Sequence, residues 1–155
     1  MKGTIYLLRG YRRVIERIPQ IEKTDCAICV AAMAMGHPYT YERVLRDSDK
    51  YPKVLENGKY HAWWELYLRD EGFRACYRPF LDLYQLPRFY GRVVGLLGMD
   101  IPHIQWGHIV CVDEIGIIDP ADGAPDHIDI GQYVLDRRAQ GVIFHSEFLA
   151  VERRG

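Results

Sequence analysis

Cys26 heads an apolar run, Cys26-Ala27-Ile28-Cys29-Val30-Ala31-Ala32-Met33-Ala34-Met35, that closes at Gly36. Alanine and methionine favour helix, Thr24 or Asp25 would cap its start, and glycine is a common stop. A cysteine at a helix start meets unpaired backbone N–H groups and the positive end of the helix dipole, which favour thiolate over thiol. The thiolate is the nucleophile, so this position suits an attacking sulfur. The plainer alternative is a small buried hydrophobe, a common fate of a free cysteine.

Cys26 and Cys29 also make a CxxC, which raises two rival chemistries. A thioredoxin-like redox pair should follow a strand inside a βαβ unit, and Ile18-Pro19-Gln20-Ile21-Glu22-Lys23 is a weak strand at best. A zinc site needs two further ligands. His103 and His108 are five apart, and Cys76 and Cys111 stand alone, so no second tight pair has standard spacing. Cys29, one helical turn after Cys26, is expected to point into the core. No metal and no cofactor is expected.

A nucleophilic cysteine needs a base from elsewhere in the chain. Of the six histidines, His37 and His61 lie beside expected helix ends, and His127 and His145 fall in polar, loop-like surroundings. His103 follows Pro102 in a loop. His108 differs, because it stands between Gly107 and the strand-like Ile109-Val110-Cys111-Val112. A strand start holds a side chain rigidly, and Gly107 lets another backbone or a substrate come close. Downstream, Ile117-Ile118 runs into Asp119-Pro120. The separation from His108 to Asp119 is 119 − 108 = 11 residues, which fits two antiparallel strands joined by a tight turn near Asp113-Glu114. Asp119 would then lie beside His108 and accept its Nδ1–H, while Asp113 falls at the far end of the hairpin. Without that pairing, His108 reads as a strand-edge histidine and Asp119 as ordinary turn chemistry.

These residues need elements to hold them. Thr40 begins a second, amphipathic helix carrying Tyr41, Val44 and Leu45. A third runs from about His61 to Glu71, with Trp63, Trp64, Leu66, Tyr67 and Leu68 on its apolar faces and Gly72 at its end. Beyond it the residues turn β-branched and aromatic, with strands expected over Phe73–Phe80, Arg92–Leu97, His108–Val112, Gly116–Ile118, Gly141–Phe144 and Phe148–Val151. Helices first and strands later make an α+β fold, with the N-terminal helices against one face of a largely antiparallel C-terminal sheet. The 155 residues contain no repeat or linker and read as one domain, residues 1–155, large enough for a real core.

A net charge of −1 provides no field to hold nucleic acid or an anionic membrane surface. Met1–Leu8 carries an apolar run of only Ile5–Leu8, too short for a signal peptide or a membrane span, so a cytoplasmic, reduced protein with free cysteines is expected.

With these residues in hand, the chain resembles the bacteriocin-processing cysteine peptidases, papain-like domains that cut leader peptides after a double glycine and are often fused to ABC exporters. The shared pattern is Gln20, five residues, Cys26 opening a small-residue helix, then Gly107-His108-Ile109-Val110, then Ile118-Asp119-Pro120-Ala121-Asp122-Gly123. The resemblance implies Cys26 as nucleophile, His108 as general base and acid, and Asp119 as the orienting carboxylate. Gln20 would donate its amide to the oxyanion together with the backbone N–H of Cys26, a neutral donor where charge develops. Two departures stand out. Ala27 replaces the glycine that usually follows the cysteine, and no transmembrane segment accompanies the domain up to Arg153-Arg154-Gly155. A free-standing form is therefore expected, acting on a peptide or protein substrate, with any exporter or maturation partner on a separate chain. Since fold does not fix reaction, isopeptide cleavage and other acyl transfers stay open, as does a non-catalytic peptide-binding module with a groove lined by Trp63, Trp64 or Trp106.

Overall fold

The computed structural model describes residues 15–22, 25–51, 55–56, 59–60, 63–88, 93–103 and 107–152. Thr24, His61, Arg92, Trp106 and the Met1–Leu8 run lie outside the described residues.

Helix α1 runs from Cys26 to Met35, and every residue in it except Ala27 is buried. A helix with no polar face must be covered on all sides, which puts α1 through the centre of the fold. Gly36, at φ 70°, ends it and returns its N–H to Ala32 O at 2.9 Å. Helix α2 (Tyr41–Ser48) starts on Thr40, whose side chain accepts the Arg43 N–H at 3.2 Å, and it buries Val44. Helix α3 (Trp63–Asp70) buries Trp63, Tyr67 and Leu68, leaving Leu66 exposed. A small hairpin, β1 (Leu55–Glu56) and β2 (Lys59–Tyr60), lies between α2 and α3 in the chain.

The main sheet follows: β3 (Arg74–Pro79), β4 (Val93–Asp100), β5 (His108–Val112), β6 (Ile117–Ile118), β7 (Ile143–Phe144) and β8 (Glu147–Glu152). Its spatial order is β3-β8-β4-β5-β6, with β7 pairing β4, and every pairing is antiparallel. Strand alternation sends Leu96, Ile109, Cys111, Ile118 and Leu149 into one apolar cluster with α1, Val44, Tyr67 and Leu68. The α+β arrangement of helices followed by antiparallel strands is the observed one.

The opposite face is covered as well, by elements absent from the sequence reading. Leu97, Met99, Val110, Val112, Ile117 and Phe148 pack there against Leu83 of a 3-10 helix (Phe80–Arg88) and against Ile130, Tyr133 and Val134 of helix α4 (Ile130–Ala139). Gly131 in the first turn and a thin apolar pattern hide α4. Its one clear signal is Asp129, whose side chain accepts the Gln132 N–H at 3.0 Å.

Strand β5 is thus buried on both faces, apart from His108 at its start. Burying each large apolar side chain contributes roughly 1.5–3 kcal/mol, so the strand is a firm mount for its first residue. A Cβ at Gly107 would meet the Met99 carbonyl oxygen at 2.3 Å. The glycine therefore admits the β4 backbone where His108 and Met99 pair.

Candidate active site

Strands β5 and β6 form the expected hairpin, with Cys111 opposite Ile118 and Val112 opposite Ile117. The Asp113 N–H donates to Gly116 O at 3.0 Å and closes it. His108 begins one strand and Asp119 immediately follows the other, with His108 Nε2 2.7 Å from Asp119 Oδ1. The expectation of an Nδ1 contact is corrected here. Nε2 sits at the tip of the ring and spans the gap to the neighbouring strand, while Nδ1 stays close to the β5 backbone.

Helix α1 packs on β5 and β4, bringing Cys26 near enough to the His108 ring to bear on its charge. Burial pulls the His108 pKa down. The hydrogen bonds and negative charges of Asp119 and Cys26 outweigh it and push the value up to about 9. His108 is thus biased towards imidazolium.

Asp119 is 1 % exposed and fully engaged. Its Oδ1 also accepts the Ala121 N–H at 2.9 Å, and its Oδ2 accepts the Tyr133 hydroxyl at 2.7 Å and Arg137 Nη2 at 3.1 Å. Burial alone would raise its pKa. The hydrogen bond and charge of His108, with help from the Ala121 N–H and Tyr133, hold it well below the usual carboxylate range. Burial and the Asp119 charge likewise push the Tyr133 phenol far above its usual range, so it stays a donor.

Gln20 joins the same neighbourhood through its backbone, its N–H donating to Pro120 O at 2.8 Å. One of its side-chain amide N–H groups donates to Glu22 O at 3.0 Å. Three residues before Gln20 in the chain, Arg17 clamps the loop after β6: Nε donates to Asp119 O at 2.7 Å and the guanidinium also reaches Ala121 O. The sequence reading missed Arg17, Tyr133 and Arg137. The Asp129 cap was the one local signal for the helix that carries the latter two; Arg17 carried none.

The second cysteine of the CxxC lies in the core. Cys29 is completely buried, and burial, with the charges of Asp25 and Cys26, pushes its thiol up to about 12, unsuited to thiolate exchange. Among the described residues, no group of three or more His, Cys, Asp or Glu is placed to hold a metal ion. Trp63 is a core residue, packed edge-on to Trp64 with ring centroids 6.1 Å apart. His127 is more than a loop residue, since its Nε2 lies 3.2 Å from Asp113 Oδ2.

No family model and no curated protein sequence matches the chain. Among solved structures it is similar to the peptidase domain of Streptococcus ComA, described as a bi-functional ABC transporter involved in a quorum sensing pathway. The likeness has a TM-score of 0.60 and spans 91% of this chain and 100% of that domain, at 15% sequence identity. The fold is that of a papain-like peptidase domain. At that identity the likeness speaks for the fold alone. Among the described residues, no helix is long and apolar enough to cross a membrane.

Proposed function

We propose that the protein is a cysteine peptidase whose nucleophile is Cys26. The observation that carries this reading is one imidazole set between a buried carboxylate and a sulfur at the head of a helix. With Nε2 bound to Asp119, Nδ1 is the ring nitrogen left for the sulfur. The Cys26 thiolate attacks the carbonyl carbon, and the C=O electron pair moves onto oxygen. The Cys26 backbone N–H and the Gln20 amide are the proposed donors to that oxyanion. His108 then gives its proton to the departing amine, leaving a thioester. It next takes a proton from water, whose oxygen attacks the thioester; the acid departs and the thiolate returns. Asp119 keeps the ring in register throughout.

The proposed substrate is a peptide, with a segment ending in Gly-Gly as the first to test. The structural neighbour is a domain of an ABC transporter, so a transported peptide and a transporter are the proposed substrate and partner classes. A working thiolate calls for a reducing compartment, which makes the cytoplasm the proposed location.

Alkylation by iodoacetamide followed by peptide mapping tests the reading. Cys26, although buried, should be modified at least about tenfold faster than the exposed Cys76, because imidazole-paired sulfur is activated and free surface thiol is not. Cys26→Ala should abolish thioester formation with an unchanged melting curve. Equal labelling of the two cysteines would count decisively against a peptidase.

A further inference from the structure

Asp25 immediately precedes Cys26 and is 5 % exposed. It occupies the N-cap position of α1 yet makes no side-chain cap bond. The first turn is carried by its backbone instead, with Asp25 O accepting the N–H groups of Ile28 and Cys29 at 3.0 and 3.2 Å. The carboxylate turns upstream. Its Oδ2 accepts the N–H of Ile21 at 3.1 Å, the N–H of Glu22 at 3.1 Å and the Tyr41 hydroxyl at 2.7 Å.

Those two N–H groups belong to the residues that directly follow Gln20. At its other end the same turn is tied to the Asp119 loop through the Gln20 N–H on Pro120 O. We infer that Asp25 is a positioning residue: its carboxylate holds the Gln20–Glu22 turn against the head of α1, so that the Gln20 amide meets the oxyanion formed on the Cys26 adduct. The inference rests on the peptidase reading above. Two successive N–H groups on one charged oxygen fix both the place and the tilt of a turn, and charge-assisted bonds are the stronger kind. An oxyanion donor works only when it is held before the charge develops. The hydrogen bond to Asp25 is also the largest cause of the rise that pushes the Tyr41 phenol up to about 12, so Tyr41 keeps its proton and stays a donor at neutral pH.

Two reagents that meet the same sulfur separate this role from a merely structural one. p-Nitrophenyl acetate acylates Cys26 through an oxyanion and releases p-nitrophenolate. Iodoacetamide alkylates it by displacing iodide at a CH2 carbon, with no oxyanion at the reacting atom. Asp25→Ala should slow acylation at least about tenfold, as loss of an oxyanion donor does, and leave alkylation within about twofold. Asp25→Asn, which keeps an acceptor oxygen, should recover most of the acylation rate. In a Gln20→Ala background, Asp25→Ala should add less than about twofold, because its effect runs through Gln20.

Equal slowing of both reactions, full additivity with Gln20→Ala, or an Asn variant as slow as the Ala variant would overturn the inference. Should Asp25→Ala fail to fold, Tyr41→Phe reads the same pattern at about threefold, from the loss of a single bond to the carboxylate. A Tyr41→Phe effect undiminished by Gln20→Ala would overturn it too. Wild-type protein that is never acylated at Cys26 sinks the peptidase reading and this inference together. Acylated wild type with an unaffected Asp25→Ala sinks the inference alone.

Discussion

Two aspartate–histidine pairs stand at opposite ends of the β5–β6 hairpin. At the open end His108 meets Asp119 at 2.7 Å; at the turn His127 meets Asp113 at 3.2 Å. Both carboxylates are buried. The difference lies in what else each pair touches. Asp113 spends Oδ1 on the turn itself, accepting the N–H groups of Ile115 at 2.8 Å and Gly116 at 3.1 Å, so the pair fastens the turn to the segment at His127. Asp119 is held from behind by Tyr133 and Arg137, and its histidine faces the Cys26 sulfur. Among the described residues, a carboxylate–imidazole pair therefore recurs in this fold without a sulfur beside it. The proposed chemistry rests on the third group, which only the open end supplies between these two pairs.

Removing each histidine is the strongest way to break the comparison. His108→Ala should cut p-nitrophenyl acetate acylation by on the order of 10³-fold, the usual worth of a positioned general acid–base, while His127→Ala should stay within about twofold. Urea unfolding should reverse the order for the carboxylate at the turn: Asp113→Ala strands two N–H groups and should cost about 1–3 kcal/mol with activity nearly kept. A comparable activity loss at both ends would erase the contrast.

The pH dependence sharpens it. His108 binds its proton up to about pH 9 when folded, against about 6.5 unfolded. Its raised pKa contributes stability that is fully present below pH 6.5 and lost as pH rises through about 9. Asp119 works in the opposite sense, its lowered pKa contributing stability above the ordinary carboxylate value of 3.8 that fades as pH falls towards the folded value. Urea midpoints measured at pH 6 and pH 10 should therefore fall for wild type on the alkaline side. That fall should shrink in His108→Gln and persist in His127→Ala.

The smallest effect belongs to the rear support of Asp119. Arg137→Gln and Tyr133→Phe each remove one of several bonds to the carboxylate, so acylation should drop by less than about tenfold, with the midpoint of the alkaline limb displaced. An Arg137→Gln variant identical to wild type in rate and in pH profile would show that α4 merely covers the sheet.

Much of this site was legible before any coordinates. The apolar Cys26–Met35 run with its glycine stop is a helix by propensity and punctuation alone. The eleven-residue separation of His108 and Asp119 closes a hairpin by strand geometry alone, and Asp113 had to fall at the wrong end of it. Helix α4 was illegible because Gly131 interrupts its first turn and only Ile130, Tyr133 and Val134 are buried from it. The same obscurity hid Tyr133 and Arg137.

By itself, then, the sequence determined the short-range arrangement: a sulfur at a helix mouth, an imidazole at a strand start and a carboxylate eleven residues on. Period, capping and turn length act between near neighbours, so they can be read along the chain. Tertiary structure decided which ring nitrogen meets Asp119, which way the Asp25 carboxylate turns, and that Arg17 reaches a carbonyl 102 residues away. Such contacts depend on how α1, the sheet and α4 pack together, and packing is set by shapes meeting across the core rather than by order along the chain.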